Sequence, residues 1–317
     1  MGILRQIERI RIDGTFKIIG APFYQLVSIH GYVRHGHQRK SMPLGYIIMS
    51  GKTQKDYTAI FKEVKRVVEL DGTTWNLKTA MLDFEIALRN SLKTVWPNIH
   101  LYGCWFHYCQ AVWRRVQKLG LKDVYHSRFG SKFIKRLMLL PLFHANDDMI
   151  ERVFGNLYRA FLRDSTQMAP NIAAAFEGLF SYVRKQWVYN PKIPATELSV
   201  FDTRVRTNNT SENWNGKTWK DAGYKAKPFY QLLAFLQNQR KSDVNIYTLP
   251  ADPKPDKKQE AKDKQIQDIW DQMKAKTIEP LAAMDALLNV CYRADWGYTH
   301  NEHMMEYTCD DIDEDIE

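Results

Sequence analysis

Apolar and polar residues alternate over 8–19, ERIRIDGTFKII. Ile10, Ile12, Phe16 and Ile18 fall on one face; Arg9, Arg11, Asp13, Thr15 and Lys17 fall on the other. A period of two predicts a strand. Asp is disfavoured in mid-strand, and Asp13-Gly14 also reads as a hairpin turn that would split IRI from FKII. Residues 23–33 and 43–49 predict two further strands, joined by a polar, basic loop, RHGHQRKS. Three strands on short polar connections make an antiparallel meander.

The period then changes. Over 54–70, Tyr57, Ile60, Phe61, Val64, Val67 and Val68 recur at helical spacing, and Asp71-Gly72 ends the run. A strand at 77–84, a helix at 85–95, a break at Pro97, a strand at 98–103 and a helix from Trp105 follow. The order βββαβαβα requires a parallel part of the sheet with right-handed crossovers. Three antiparallel strands feeding such a unit is the layout of the ribonuclease H-like fold, an α/β class with a mixed sheet. Its first strand lies beside its fourth, which sets Asp13 next to Asp83.

Beyond 109 the chain reads as helical to about 200, with amphipathic stretches at 109–119, 131–139, 147–164 and 171–189. Residues 207–220, TNNTSENWNGKTWK, read as a polar turn entering a helix capped by Thr210 or Ser211. Glu212, Asn215 and Gly216 share one face of it. An apolar helix at 229–241 follows, then a charged linker from 250, helices near 264–276 and 279–293, and an acidic tail expected to be disordered. The expected organisation is a first part of the core at 1–108, an all-α insertion at 109–205, returning helices at 206–248, and a linker, helices and tail at 249–317.

Charge adds a partner class. The net charge is +9, and six acids in the last eight residues leave the rest of the chain at +15. A basic body suits a polyanion. The basic residues Arg34, His35, His37, Arg39 and Lys40 of the first loop, with Lys217 and Lys220, are candidate DNA contacts. No run approaches a membrane span, and the amino terminus has no apolar signal core. The four cysteines, Cys104, Cys109, Cys291 and Cys309, show no disulfide spacing, so an intracellular, reducing compartment is expected.

Three acids, Asp13, Asp83 and Glu212, are candidate metal ligands that only the fold can assemble. Magnesium takes hard oxygen ligands and keeps several waters, so two or three carboxylates suffice. Glu177 competes as third acid, though it sits in an ordinary amphipathic pattern. Cys104-x-x-His107, with Cys109 nearby, is at most half of a closed zinc site. No second pair has zinc-finger spacing, so no structural zinc is expected. A proofreading-type exonuclease would need Asp-x-Glu on the first strand, where this chain has Asp13-Gly14-Thr15.

The segments IDGTFK, AMLDFEIAL, WPNIHLYGCWFHYCQAVWRRVQKLGL and TNNTSENWNGKTWK, in that order, resemble the Mutator-like element (MULE) transposase domain. The resemblance implies a DDE core interrupted by a helical insert. Asp13, Asp83 and Glu212 would be its catalytic, metal-binding acids, and Cys104 and His107 its C-x-x-H signature. It implies Mg2+ or Mn2+ in a two-metal site, cleavage and strand transfer of DNA, a nuclear location, and a homodimer as a further expectation. Such transposases usually carry an amino-terminal DNA-binding module, whereas this strand begins within about ten residues of Met1. The alternative is therefore a truncated or domesticated relative that binds DNA or protein without cutting.

Overall fold

The computed structural model describes residues 2–35, 38–125, 127–248 and 257–292. At 2, 34–35, 38–40, 128–129, 147, 209–210 and 242–248 only the backbone is described. His37 and the acidic tail expected at the carboxyl end lie outside the described residues. These residues form two compact units. One holds 2–104 and 207–248; the other holds 105–206 and 257–292.

The first unit is built on a five-stranded sheet of β1 (Arg9–Thr15), β2 (Gln25–His35), β3 (Gln38–Met49), β4 (Thr79–Leu82) and β5 (His100–Gly103). The spatial order is β3-β2-β1-β4-β5, the ribonuclease H-like order. β1 pairs antiparallel with β2 and parallel with β4, and β4 pairs parallel with β5. The parallel register Arg9↔Thr79, Ile10↔Ala80, Arg11↔Met81 runs Asp13 and Asp83 toward the same end of neighbouring strands.

β1 does not turn at Asp13-Gly14. It runs through them, pairing Asp13 with Ser28 and Gly14 with Val27. It ends at Thr15, short of the strand expected to 19. Ile18 and Ile19 instead enter a separate apolar cluster, and Ile19 bridges to Lys227. The basic loop expected after β2 is also corrected: β2 and β3 continue as a hairpin to the pair His35↔Gln38. β3 is an edge strand, so it tolerates Pro43, whose missing N–H does least harm there, beside a register shift between Ile29 and His30.

Two helices cover one face of the sheet. Gln54–Val68 opens with a capping box in which Asp56 N donates to Thr53 Oγ1 at 3.2 Å and Thr53 N to Asp56 Oδ2 at 3.0 Å. It lays Tyr57, Phe61 and Val68 on Ile10, Ile12, Val27 and Ile29, joined by Leu88, Leu92 and Val95 of the helix Ile86–Val95. The helices Asn209–Asp221 and Phe229–Thr248 belong to the other face. There Ala222, Leu232 and Leu236 pack with Leu26, and Trp214 stacks on Tyr46 at 5.1 Å. With both faces covered, β1 is buried from Ile10 to Asp13, polar side chains included.

The second unit is helical. Trp105–Lys118, Arg128–Met138, Met149–Ser165 and Pro170–Val183 enclose Phe133, Phe154, Phe161, Phe176 and Phe180. A single π turn, Arg184–Val188, ends the last of these, within the stretch expected as one helix to 189. The expected linker is helical from Lys257: the helix Lys257–Lys274 starts seven residues before the expected 264. Its buried stripe Ile266, Ile269, Trp270, Met273 has helical spacing, and KKQEAKDK in front is, apart from Asp263, made of good helix formers. Trp270 Nε1 donates to the Leu142 carbonyl at 2.8 Å, and Arg136 pairs with Asp285 of the helix Pro280–Cys291. The carboxy-terminal helices thus complete the core of this unit. Among the described residues no helix is long and apolar enough to cross a membrane.

Candidate active site

Asp13 lies on the β1 face that meets the helix Asn209–Asp221. Alternation puts Arg11 on the same face, where it bonds Tyr32 Oη at 3.4 Å and Ser41 Oγ, and stacks over the Tyr32 ring. Ser28, opposite Asp13, donates its hydroxyl to the Asp13 carbonyl at 3.3 Å. His30 Nε2 lies 3.0 Å from that hydroxyl. Burial, and secondly the Arg11 charge, hold His30 neutral with its pKa down to about 3.

Asp83 follows β4 directly. Its Oδ1 accepts from the Glu85 N–H at 3.1 Å, and Arg89 Nη1 donates to its carbonyl at 2.9 Å. The neighbouring acid is engaged elsewhere: Glu85 Oε2 accepts from Tyr57 Oη at 3.0 Å, and Tyr57 in turn accepts from Gln25 Nε2 at 2.7 Å. Of the two acids that close this strand, Asp83 is the one facing Asp13.

Glu212 comes from the helix Asn209–Asp221. The expected cap at Thr210 or Ser211 is corrected: Asn208 holds the cap position, and its side chain does not cap. Its Nδ2 instead donates to the Ile12 carbonyl at 3.1 Å, tying the helix to β1. Its backbone N–H points at Cys104 Sγ, at 3.1 Å, and that thiol lies 3.8 Å from Glu212 Oε1. Cys104 is fully buried at the end of β5, so one sulfur links the third acid to the sheet. Two turns on, Asn215 Nδ2 donates to Asp13 Oδ2 at 2.7 Å.

Electrostatics records the proximity of the acids. Burial first, then the Asp83 charge, push the Asp13 carboxyl well above the usual range, against the hydrogen bonds from Asn215 and Gly14. Burial and the Asp13 charge do the same to Glu212, against Cys104. Asp13 therefore stands between two acids that both repel it.

Residues 9–111 match the MULE transposase domain. A search of curated proteins gave no match. The matched MULE segment takes in β1 to β5 and holds Asp13, Asp83, Cys104 and His107; Glu212 falls outside it. His107 opens the helix Trp105–Lys118, half-buried, with its ring edge-on to Phe106. Lys217 and Lys220 are exposed on the helix that carries Glu212. The side chains of Arg34, His35, Arg39 and Lys40, with all of His37, lie outside what is described. Glu177 is exposed in the second unit and accepts from Tyr158 Oη at 2.7 Å.

Pattern reading passed over Arg11, Ser28 and Asn208, and it set His30 aside with His35 and His37 in a solvent- or DNA-facing loop, whereas His30 is buried on β2. Each is polar on a strand face or turn that looks solvent-facing until a second layer covers it. Asn208 and Asn215 had one usable signal, the spacing N-x-x-x-E-x-x-N around Glu212.

Proposed function

We propose that this chain is a DDE-type transposase, using Asp13, Asp83 and Glu212 for metal-dependent hydrolysis and strand transfer of DNA phosphodiesters. The observation that carries the reading is the return of the helix Asn209–Asp221 to β1, with Glu212 within electrostatic reach of Asp13. The MULE family implies both DNA and divalent ions.

The residues fit Mg2+ or Mn2+. The donors are hard oxygens, Asp13 is buried and Glu212 half-buried against mutual repulsion, and the Asn215 Oδ1 beside them is enclosed without a hydrogen bond among the described residues. Such ions, when bound, neutralise the phosphate and lower the pKa of the attacking water or hydroxyl. Asp13 and Asp83 supply carboxylates from adjacent strands, and Glu212 supplies the third. Asn208 and Cys104 fix the helix so that Glu212 keeps its place. Tyr57 draws Glu85 off the site. Lys217 and Lys220 offer charge to a DNA backbone approaching from the helix side.

The test is divalent-ion-dependent nicking of DNA bearing the element's terminal repeats. Asp83→Asn should lower it about a hundredfold or more, the scale of losing a preorganised electrostatic group, while gel-shift binding persists. Nicking that survives Asp83→Asn would overturn the assignment. DNA retention with no nicking by the unaltered chain would favour a binding role.

A further inference from the structure

Asn208 and Asn215 stand seven residues apart on the same helix, yet they meet β1 differently. Asn208 reaches a backbone carbonyl, that of Ile12, and so does the docking. Asn215 reaches a side chain, the Asp13 carboxylate, at 2.7 Å. Docking is thus accounted for without it. Its Oδ1 is enclosed and takes no hydrogen bond among the described residues. Buried polar atoms are nearly always satisfied, so an orphaned one calls for an explanation, an ion included. Asn215 is also three residues past Glu212, on the same face of the helix. An amide oxygen is a hard, neutral ligand of the kind magnesium and calcium sites accept beside carboxylates.

We propose that Asn215 is a fourth oxygen donor of the metal site formed by Asp13, Asp83 and Glu212. The inference rests on the reading that those acids hold divalent ions. In the metal-free chain the amide NH2 bonds Asp13. When a cation binds the Asp13 carboxylate, that hydrogen bond gives way. Half a turn about the terminal torsion then presents Oδ1 in place of Nδ2. The site gains a ligand without a fourth negative charge among groups that already repel one another.

The rival role is a hydrogen-bond donor that only orients Asp13. Manganese titration of the whole chain without DNA, read by the free Mn2+ electron paramagnetic resonance signal, separates the two. Asn215→Ala should weaken binding about ten- to a hundredfold, and Asn215→Asp should tighten it, because it keeps an oxygen ligand and adds charge. If both variants weaken binding alike, Asn215 is only a donor and the proposal is overturned. Should Asn215→Ala fail to fold by circular dichroism, Asn215→Asp decides alone: tighter binding supports the ligand role, and unchanged or weaker binding overturns it. Asp83→Asn is the control for the underlying reading. If it leaves Mn2+ binding intact, the three-acid site itself is wrong. If it abolishes binding while Asn215→Ala does not change it, only the present inference fails.

Discussion

Asp13 sits where a strand would rather not hold an acid, and the residues around it show what keeps it there. Its carbonyl is held by Ser28, its carboxylate by Asn215, and the next hydroxyl partner is the buried His30. His30 sets a pH dependence of its own. Its pKa is near 3 in the fold against 6.5 in the open chain, with Arg11, Ser28 and the edge of Trp214 around it. Below pH 6.5 the unfolded chain takes up a proton that the folded one refuses, so stability falls as pH drops from about 6.5 toward 3. Asp13 has the opposite sign: its raised pKa favours the fold at low pH and weakens it as pH rises through neutrality. Thermal melts across pH 4–7 of the unaltered chain and of His30→Gln separate the two. The variant should gain Tm relative to the unaltered chain as pH falls below 6.5, and a difference between the two that stays constant across pH 4–7 would show that His30 does not titrate as assigned.

Elements differ in how far their own residues declare them. β1 to β5 were legible because alternation and the switch to helical spacing come from local burial, and the order βββαβαβα leaves few topologies. The strand end carrying Asp83 was legible for the same reason. The helix Asn209–Asp221 was not legible in its role. Its sequence is mostly polar, so it reads as a surface helix, yet Asn208, Ser211 and Thr218 are buried. Only return of the chain to β1 covers those side chains and gives Asn208 its bond to the Ile12 carbonyl, and spacing does not encode that return. The β2–β3 hairpin misleads in a related way. Basic residues at its tip look like loop residues, although the backbone there stays in paired strands as far as His35↔Gln38. A tight helix–helix corner gives an element-scale test. Gly130 lies in the first turn of Arg128–Met138, and a Cβ there would strike the carbonyl of Val124 in the helix Lys122–Tyr125. Backbone cannot swing aside as a side chain does, so Gly130→Ala should cost about 1–3 kcal/mol, read as a lower denaturant midpoint with an unchanged slope.

Each of the two units takes two separate stretches of the chain, and this shapes the molecule's stability. The first unit needs 207–248 to cover the Asp13 face of the sheet. The second needs 257–292 to close a core that 105–206 leaves open. Trp270 is the clearest case: it is buried, its indole N–H satisfies the Leu142 carbonyl, and the Arg206 guanidinium lies over its ring at 5.7 Å while pairing with Asp263. Ile266, Ala283, Met284, Leu287 and Cys291 are buried with it. A surface appendage would not bury a continuous stripe on two successive helices, so these helices are part of the fold. Trp270→Ala should therefore cost about 3–5 kcal/mol. Ending the chain at 254 should go further, stripping hydrogen-exchange protection from the amides of 105–206, which lose the apolar cover of both helices. Amides of β1, β2 and β4 should stay protected, because their partners all lie within 2–104 and 207–248. Equal loss of protection in both sets would mean that the two units fold as one cooperative body. Unchanged protection in 105–206 would mean that the carboxy-terminal helices only rest on its surface.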